Sequence, residues 1–103
     1  MYFLRLRPFF EDNKHRLCWD WLSFNPNAVA LLEANQDKID WYRLSANPNA
    51  IHIQEQNPDK IVWEELSENP NAIWLLEKNI DKINWGGLSL NPNAIHLLEQ
   101  HQD

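Results

Sequence analysis

Histidine, carboxylate and cysteine side chains are the groups in this sequence that could bind a metal or take part in catalysis. His52 and His96 stand at equivalent places of a repeating pattern, far apart along the chain. The carboxylates recur in two rows, Glu33, Glu55, Glu77 and Glu99, and Asp37, Asp59 and Asp81. A general acid–base pair needs two carboxylates in contrasting environments. Because a repeat gives its equivalent carboxylates equivalent surroundings, we expect neither a catalytic pair nor a metal site.

The single cysteine supports the same expectation. Cys18 takes a position that holds Asp40, Val62 or Asn84 elsewhere in the pattern, which indicates a small side chain rather than a nucleophile. One cysteine permits no intrachain disulfide, as is typical of proteins in a reducing compartment. The sequence has no glycine-rich phosphate loop and no Gly-x-Ser-x-Gly motif. We therefore predict an intracellular protein that is not an enzyme and that binds no metal, cofactor or small-molecule substrate.

The strongest pattern in the chain is the tetrad Asn-Pro-Asn-Ala, which occurs four times at intervals of 22 residues. A longer frame recurs around it, Ile-x-Trp-x-x-Leu-Ser-x-Asn-Pro-Asn-Ala-Ile-x-Leu-Leu-Glu. The tryptophans of this frame are Trp19, Trp41, Trp63 and Trp85. The tetrads begin at Asn25, Asn47, Asn69 and Asn91. A fixed period of this length is typical of proteins built from stacked repeats.

The tetrad resembles the start of a helix. Asparagine is a favoured N-cap, because its side-chain oxygen accepts a hydrogen bond from a free backbone N–H. Proline is tolerated at the first helical position, where its missing N–H costs nothing. The residues that follow Asn69-Pro70, namely Ala72, Ile73, Leu75 and Leu76, fall on one arc of a helix. We therefore predict a helix of about two turns after each tetrad, capped by Asn25, Asn47, Asn69 or Asn91.

A second segment of each unit begins near Asn57-Pro58-Asp59-Lys60 and continues through Ile61, Trp63 and Leu66. Trp63 and Leu66 share a helical face, but Ile61 lies off it. The segment is therefore predicted to be a helix that begins as a 3₁₀ turn, or one in which the isoleucine acts as a separate staple. Helices this short need neighbours to be stable. We expect Trp19, Trp41, Trp63 and Trp85 to form a structural ladder, so that Trp63→Ala unfolds the domain.

These observations predict an all-α fold. It would be a short α-solenoid of four two-helix units, residues 17–38, 39–60, 61–82 and 83–103. Residues 1–16 do not fit the pattern and are predicted to form an N-terminal capping segment. The alternative is a leucine-rich-repeat-like α/β solenoid, because Leu-Ser-x-Asn-Pro is similar to the Leu-x-x-Asn step of that architecture. The proline after each asparagine, and the missing Leu-x-x-Leu-x-Leu alternation, favour the all-α fold.

Charge and hydropathy limit the partners. The net charge is −6, and the basic residues of the first 16 positions are too few to reverse the acidic character of the rest. Nucleic-acid binding needs surfaces of lysine and arginine, so we expect no nucleic-acid partner. A membrane or nucleic-acid arm at Arg5 and Arg7 is a weaker alternative to the cap. No apolar run approaches the ~20 residues that span a bilayer, so we expect no membrane association.

Positions that the repeat leaves free are the best candidates for binding. One row of equivalent positions holds Ala30, His52, Trp74 and His96. A second row begins with Asp20 and Tyr42, and a third begins with Trp21 and Arg43. Trp74 is predicted to face solvent, and its replacement by alanine should leave stability nearly unchanged if it contacts a partner. Exposed aromatic and arginine side chains are enriched in binding hot spots. The candidate partner-binding residues are Trp74, His52, His96, Tyr42, Arg43 and Trp21.

The unit Leu-Ser-x-Asn-Pro-Asn-Ala-Ile-x-Leu-Leu-Glu-x-Asn-x-Asp-Lys-Ile-x-Trp resembles a repeat found in proteins of giant and large DNA viruses, such as the mimivirus, marseillevirus and iridovirus groups. The resemblance covers about residues 17–103 and is closest in Leu66–Trp85 and Leu88–Glu99. The first unit departs from it, with His15-Arg16-Leu17 in place of Asp-Lys-Ile. The resemblance implies a viral protein in the host cytoplasm or the virion, and it assigns no functional residue.

Two functions are compatible with these features. The first is a non-enzymatic scaffold that mediates protein–protein interaction. The alternative is a structural or virion-associated protein that stacks with itself or with another subunit. The two differ in how the open end of the stack behaves in solution.

Overall fold

The computed structural model describes residues 17–101, in which short helices alternate with turns. The α-helices of this part are α1 Trp19–Phe24, α2 Val29–Ala34, α3 Trp41–Ser45, α4 Ile51–Gln56, α5 Trp63–Ser67, α6 Ile73–Glu77, α7 Trp85–Leu88 and α8 Ile95–Gln100. Three 3₁₀ helices, Gln36–Lys38, Pro58–Lys60 and Ile80–Lys82, follow α2, α4 and α6. Residues 17–101 contain no β-strand, so the all-α prediction is confirmed there and the α/β alternative is not supported. The predicted capping segment, residues 1–16, lies outside the described residues.

Each 22-residue unit of the sequence supplies one helix that begins at its tryptophan and one that follows its tetrad. The helices that begin at tryptophan pack in series, α1 against α3, α3 against α5, and α5 against α7. The two helices of a unit also contact each other: α1 packs against α2, and α3 packs against α4. Residues 17–101 are therefore held together by contacts between successive tryptophan-led helices and by contacts between the two helices of a unit.

The tetrad forms a turn rather than the first turn of a helix. The Ala50 N–H donates to the Asn47 carbonyl oxygen (3.2 Å), and the Asn49 N–H donates to Asn47 Oδ1 (3.0 Å). This is a β-turn with proline at its second position, closed by an Asx hydrogen bond. Helix α4 begins only at Ile51, with Ala50 in the N-cap position.

The N-cap prediction for the tetrad asparagines is therefore wrong. The residues in the N-cap positions are Ala28, Ala50, Ala72 and Ala94, and none makes a side-chain cap hydrogen bond. The physical reason is local competition, because each asparagine oxygen is used by the N–H two residues later. The residues mispredicted as caps are Asn25, Asn47, Asn69 and Asn91.

The second segment agrees with its predicted 3₁₀ start. Pro58–Lys60 is a 3₁₀ helix, and α5 begins three residues later at Trp63. Between them Ile61 is extended, with φ −68° and ψ 131°, and its side chain is buried. The isoleucine lies off the helical face of Trp63 and Leu66 because it precedes the helix, so the expected helical phase does not apply to it.

The core is a ladder of leucines rather than of tryptophans. Leu44, Leu66 and Leu88 are 0% exposed. The ladder tryptophans pack at the margin of this core, with Trp41 and Trp63 partly buried and Trp85 37% exposed. Trp63 is the first residue of α5, whereas Leu66 lies one turn further in and is enclosed by both neighbouring units. We therefore expect the leucines to contribute more to the free energy of unfolding than the tryptophans.

Buried polar side chains join each unit to the next. Ser45 Oγ donates to the Trp41 carbonyl (2.8 Å) and accepts from the Val62 N–H (2.9 Å). Asn69 Nδ2 donates to the carbonyl oxygens of Ser45 (3.0 Å) and Asn47 (3.1 Å). Equivalent bonds recur in the neighbouring units, through Ser23 and Asn47 and through Ser67 and Asn91. These bonds give a serine carbonyl of the preceding unit a donor, and they add a second donor to the tetrad asparagine carbonyl, which already accepts from the alanine N–H.

One buried polar group has no partner among the described residues. Gln54 is 0% exposed and its Nε2 donates to the Leu44 carbonyl (3.0 Å), but its Oε1 accepts no hydrogen bond. Leucine occupies the equivalent positions Leu32 and Leu76, and both are fully buried.

We therefore expect Gln54→Leu to raise the free energy of unfolding by about 1–2 kcal/mol, because it removes an unsatisfied buried acceptor. The Leu44 carbonyl keeps its bond from the Asn47 N–H (2.8 Å). Urea denaturation of the variant and the wild type measures the difference. A loss of stability would show that the amide does more than fill space.

Candidate partner-binding surfaces

The helices that begin at tryptophan carry a group of exposed and half-buried side chains, which we call the Trp21 group: Trp21, Tyr42, Arg43 and Glu65. Arg43 Cζ lies 4.6 Å from the centroid of the Trp21 ring, in the geometry of a cation–π contact. The Arg43 Nε also lies 3.7 Å from Asp40 Oδ2. Trp21 remains 64% exposed despite these contacts. Its ring is therefore held in place by the next unit and still available to a partner.

Tyr42 is positioned in the same way by the unit that follows it. Its phenol is hydrogen-bonded to the carboxylate of Glu65, and that bond together with the charge of Glu65 raises the pKa of Tyr42 above its ordinary value of 10.0. The side chain is 56% exposed. The phenol therefore stays protonated at neutral pH and can serve as an oriented aromatic contact.

The second surface lies on the helices that follow the tetrads, and we call it the His–Trp row: His52, Trp74 and His96. His52 Nε2 lies 3.1 Å from Glu33 Oε2, and His96 Nε2 lies 3.2 Å from Glu77 Oε2. All these side chains are substantially exposed. Each histidine therefore contacts the glutamate of the preceding unit, a pairing visible in the sequence as a constant offset of 19 residues.

Trp74 takes the histidine position in the third unit. It is 42% exposed, and Lys78 Nζ lies 4.5 Å from its ring centroid. Within residues 17–101 no hydrogen bond, ion pair or ring contact joins Trp74 to Tyr42, Arg43 or His52. The six candidate residues therefore form two separate groups, because Trp21, Tyr42 and Arg43 belong to the other helix of the unit.

A cleft beside Trp63 was not found from the sequence. It has a volume of about 340 Å³. Its apolar wall is made by Ile61, Trp63 and Leu75, and its polar rim includes Glu55, Asp59, Asn79 and Lys82. Its residues come from α4, α5, α6, the 3₁₀ helices Pro58–Lys60 and Ile80–Lys82 and the segments between them, so two successive sequence units contribute to it. The repeated aspartates and lysines of the Asp-Lys-Ile step were the only signal in the sequence.

The described residues carry no other arrangement that indicates chemistry. No group of three histidine, cysteine, aspartate or glutamate side chains in residues 17–101 is placed to hold a metal ion. Cys18 is exposed and unpaired in the same part of the chain. None of the helices in that part has the length and apolar character needed to cross a membrane.

Comparison with known proteins adds no assignment. No protein-family model, no curated protein and no solved structure matches the chain.

Proposed function

We propose that this chain is a short α-solenoid of four 22-residue repeats that acts as a non-enzymatic scaffold for binding another protein. The hydrogen bonds that join successive units recur at constant sequence offsets, 22 residues for Asn47 Nδ2 to the Asn25 carbonyl and for Asn69 Nδ2 to the Asn47 carbonyl. Such repetition supports a stack in which each unit contacts only its neighbours. The resemblance of the unit to repeats of large DNA viruses supports a role in the host cell, with the virion as the alternative location.

The observation that carries the binding proposal is that the Trp21 side chain is 64% exposed and is still held in place by a cation–π contact with Arg43. Tryptophan, tyrosine and arginine dominate binding hot spots, and preordered side chains lose less entropy on association. Trp21, Tyr42 and Arg43 supply all three types on adjacent units, at positions that the repeat leaves free. Trp74 offers a second contact on the other helices.

We expect Trp21→Ala to leave the free energy of unfolding within about 1 kcal/mol of the wild type, because the ring is exposed. The same variant should lose a protein captured from infected or native cells by at least about tenfold, as quantified by mass spectrometry. Trp74→Ala, equally stable by the same reasoning, tests the second group separately. A stability loss above about 2 kcal/mol in either variant would make that tryptophan part of the core instead.

A structural component that stacks with itself or with another subunit is the second candidate. In the fourth unit Ile95 is 60% exposed, whereas its equivalent Ile51 is 9% exposed and its equivalents Val29 and Ile73 are half-buried. Leu90 is 72% exposed. An apolar surface complementary to repeat units favours association through heterologous contacts.

Sedimentation velocity over a range of concentrations distinguishes the two candidates. A stable monomer supports the scaffold. Concentration-dependent assembly that is abolished by Leu90→Glu, but not by a matched exposed change such as Gln56→Glu, supports the structural component.

A further inference from the structure

Two of the ladder tryptophans are contacted by a side chain from the end of their own unit. Lys60 Nζ lies 5.3 Å from the centroid of the Trp41 ring. The rings of Trp85 and His101 are 5.4 Å apart between centroids. Among residues 17–101 no lysine or arginine lies over the Trp63 ring, although Lys82, the equivalent of Lys60, lines the adjoining cleft. The face of Trp63 is therefore open where that of Trp41 is covered.

The glutamate beside this open ring also differs from its equivalents. Glu33 contacts His52, and Glu77 contacts His96, each through the offset of 19 residues. The same offset from Glu55 leads to Trp74, which cannot provide a positive charge. Among the described residues Glu55 has no ion pair, and it lines the cleft together with Asp59. The cleft therefore combines an uncovered indole with two carboxylates that lack a fixed partner.

We propose that the cleft beside Trp63 binds an arginine side chain of a partner protein. A guanidinium group can stack on the indole while its N–H groups reach the carboxylates of the rim, which suits its planar shape and its weak hydration. The chain already uses this contact internally, where Arg43 lies over Trp21. Two carboxylates against one ammonium, that of Lys82, give the rim a negative balance that attracts a cation.

This inference rests on the proposed scaffold function and names the chemistry of one contact. The volume of about 340 Å³ is at the lower end of ligand pockets, which fits a single side chain rather than a folded domain. A partner that engages the cleft would present an arginine from an extended or protruding segment. Contacts to the Trp21 group or to Trp74 would add affinity from other units.

The probe is an acetylated and amidated peptide, Gly-Gly-Arg-Gly-Gly, compared with the same peptide containing citrulline, which keeps the shape and lacks the charge. Two-dimensional ¹H–¹⁵N spectra follow the indole N–H signals, and Trp63→Phe identifies the signal of Trp63. We expect a saturable shift of that signal by the arginine peptide with a dissociation constant of roughly 1–10 mM. The citrulline peptide should cause none.

Glu55→Gln should weaken the binding by at least about threefold, since it removes one of the two carboxylates. Glu77→Gln is the matched control, because it changes the equivalent residue of a unit in which a histidine already contacts the glutamate. The proposal is overturned if the Trp63 signal does not shift, if the citrulline peptide binds equally well, or if both glutamine variants behave alike. None of these outcomes affects the scaffold proposal, which is tested by partner capture with Trp21→Ala.

Discussion

Asn69→Ala is expected to lower the free energy of unfolding by about 3–5 kcal/mol, a large change for a single polar residue. Asn69 is 2% exposed. Its Nδ2 donates to the carbonyl oxygens of Ser45 and Asn47, and its Oδ1 accepts from the Asn71 N–H (3.1 Å). Alanine removes all three bonds and leaves buried groups in two units without that partner. Chemical denaturation in urea measures the loss.

Asn71→Ala is the matched control for this prediction. Asn71 lies two residues away and also joins two units, but its side chain is exposed and donates only one bond, to the Pro48 carbonyl (2.8 Å). We expect it to cost about 1 kcal/mol or less, because water can replace the lost donor. Equal effects of the two substitutions would contradict the view that burial gives the Asn69 bonds their importance.

The second large effect is expected for Leu66→Ala, with a loss of about 3–5 kcal/mol. Leu66 is 0% exposed and belongs to the apolar cluster that also contains Leu76 and Leu88. The substitution opens a cavity between units whose backbones are fixed by hydrogen bonds on either side, so the site can relax only partly. Urea denaturation again provides the measurement, and an unchanged slope would show that the folded state stays compact.

Trp63→Ala is the comparison that separates the two ladders. The ring is larger than leucine but only partly buried at the margin of the cluster. We expect a loss of about 2–3 kcal/mol, less than that of Leu66→Ala, since part of its apolar surface is already in water. A larger loss for Trp63→Ala would restore the tryptophans as the main source of stability. This expectation replaces the sequence-based prediction that Trp63→Ala unfolds the domain.

The sequence predicts the helical character because local signals and packing agree. Ile73, Leu75 and Leu76 fall on one face only if this segment is helical, and these residues lie in α6. A 3₁₀ start of the second segment was one of two predicted alternatives, because Ile61 did not fit the helical face of Trp63 and Leu66. The 3₁₀ helix is present, but extended residues separate it from the α-helix. Exposure of Trp74 and of the histidine row followed from the same helical phase.

The role of the asparagines could not be predicted from one unit alone. An asparagine before proline is compatible with an N-cap and with an Asx turn, and the local sequence does not distinguish them. The role of the asparagine side chain is set by the carbonyl groups of the preceding unit, to which its amide donates once the two units pack together. The cleft beside Trp63 was missed for the same reason, because Glu55 and Lys82 meet only across the boundary of two units.

Hydrogen exchange of the side-chain amides, followed by NMR, tests most directly whether the units stack through buried asparagines. The amides of Asn47, Asn69 and Asn91 should exchange about a hundredfold or more slower than an asparagine amide in an unstructured peptide, because each donates to two carbonyl groups in the preceding unit. Rates within a few fold of the unstructured peptide for all three, in a chain that is otherwise folded, would contradict the stack of asparagine-linked units.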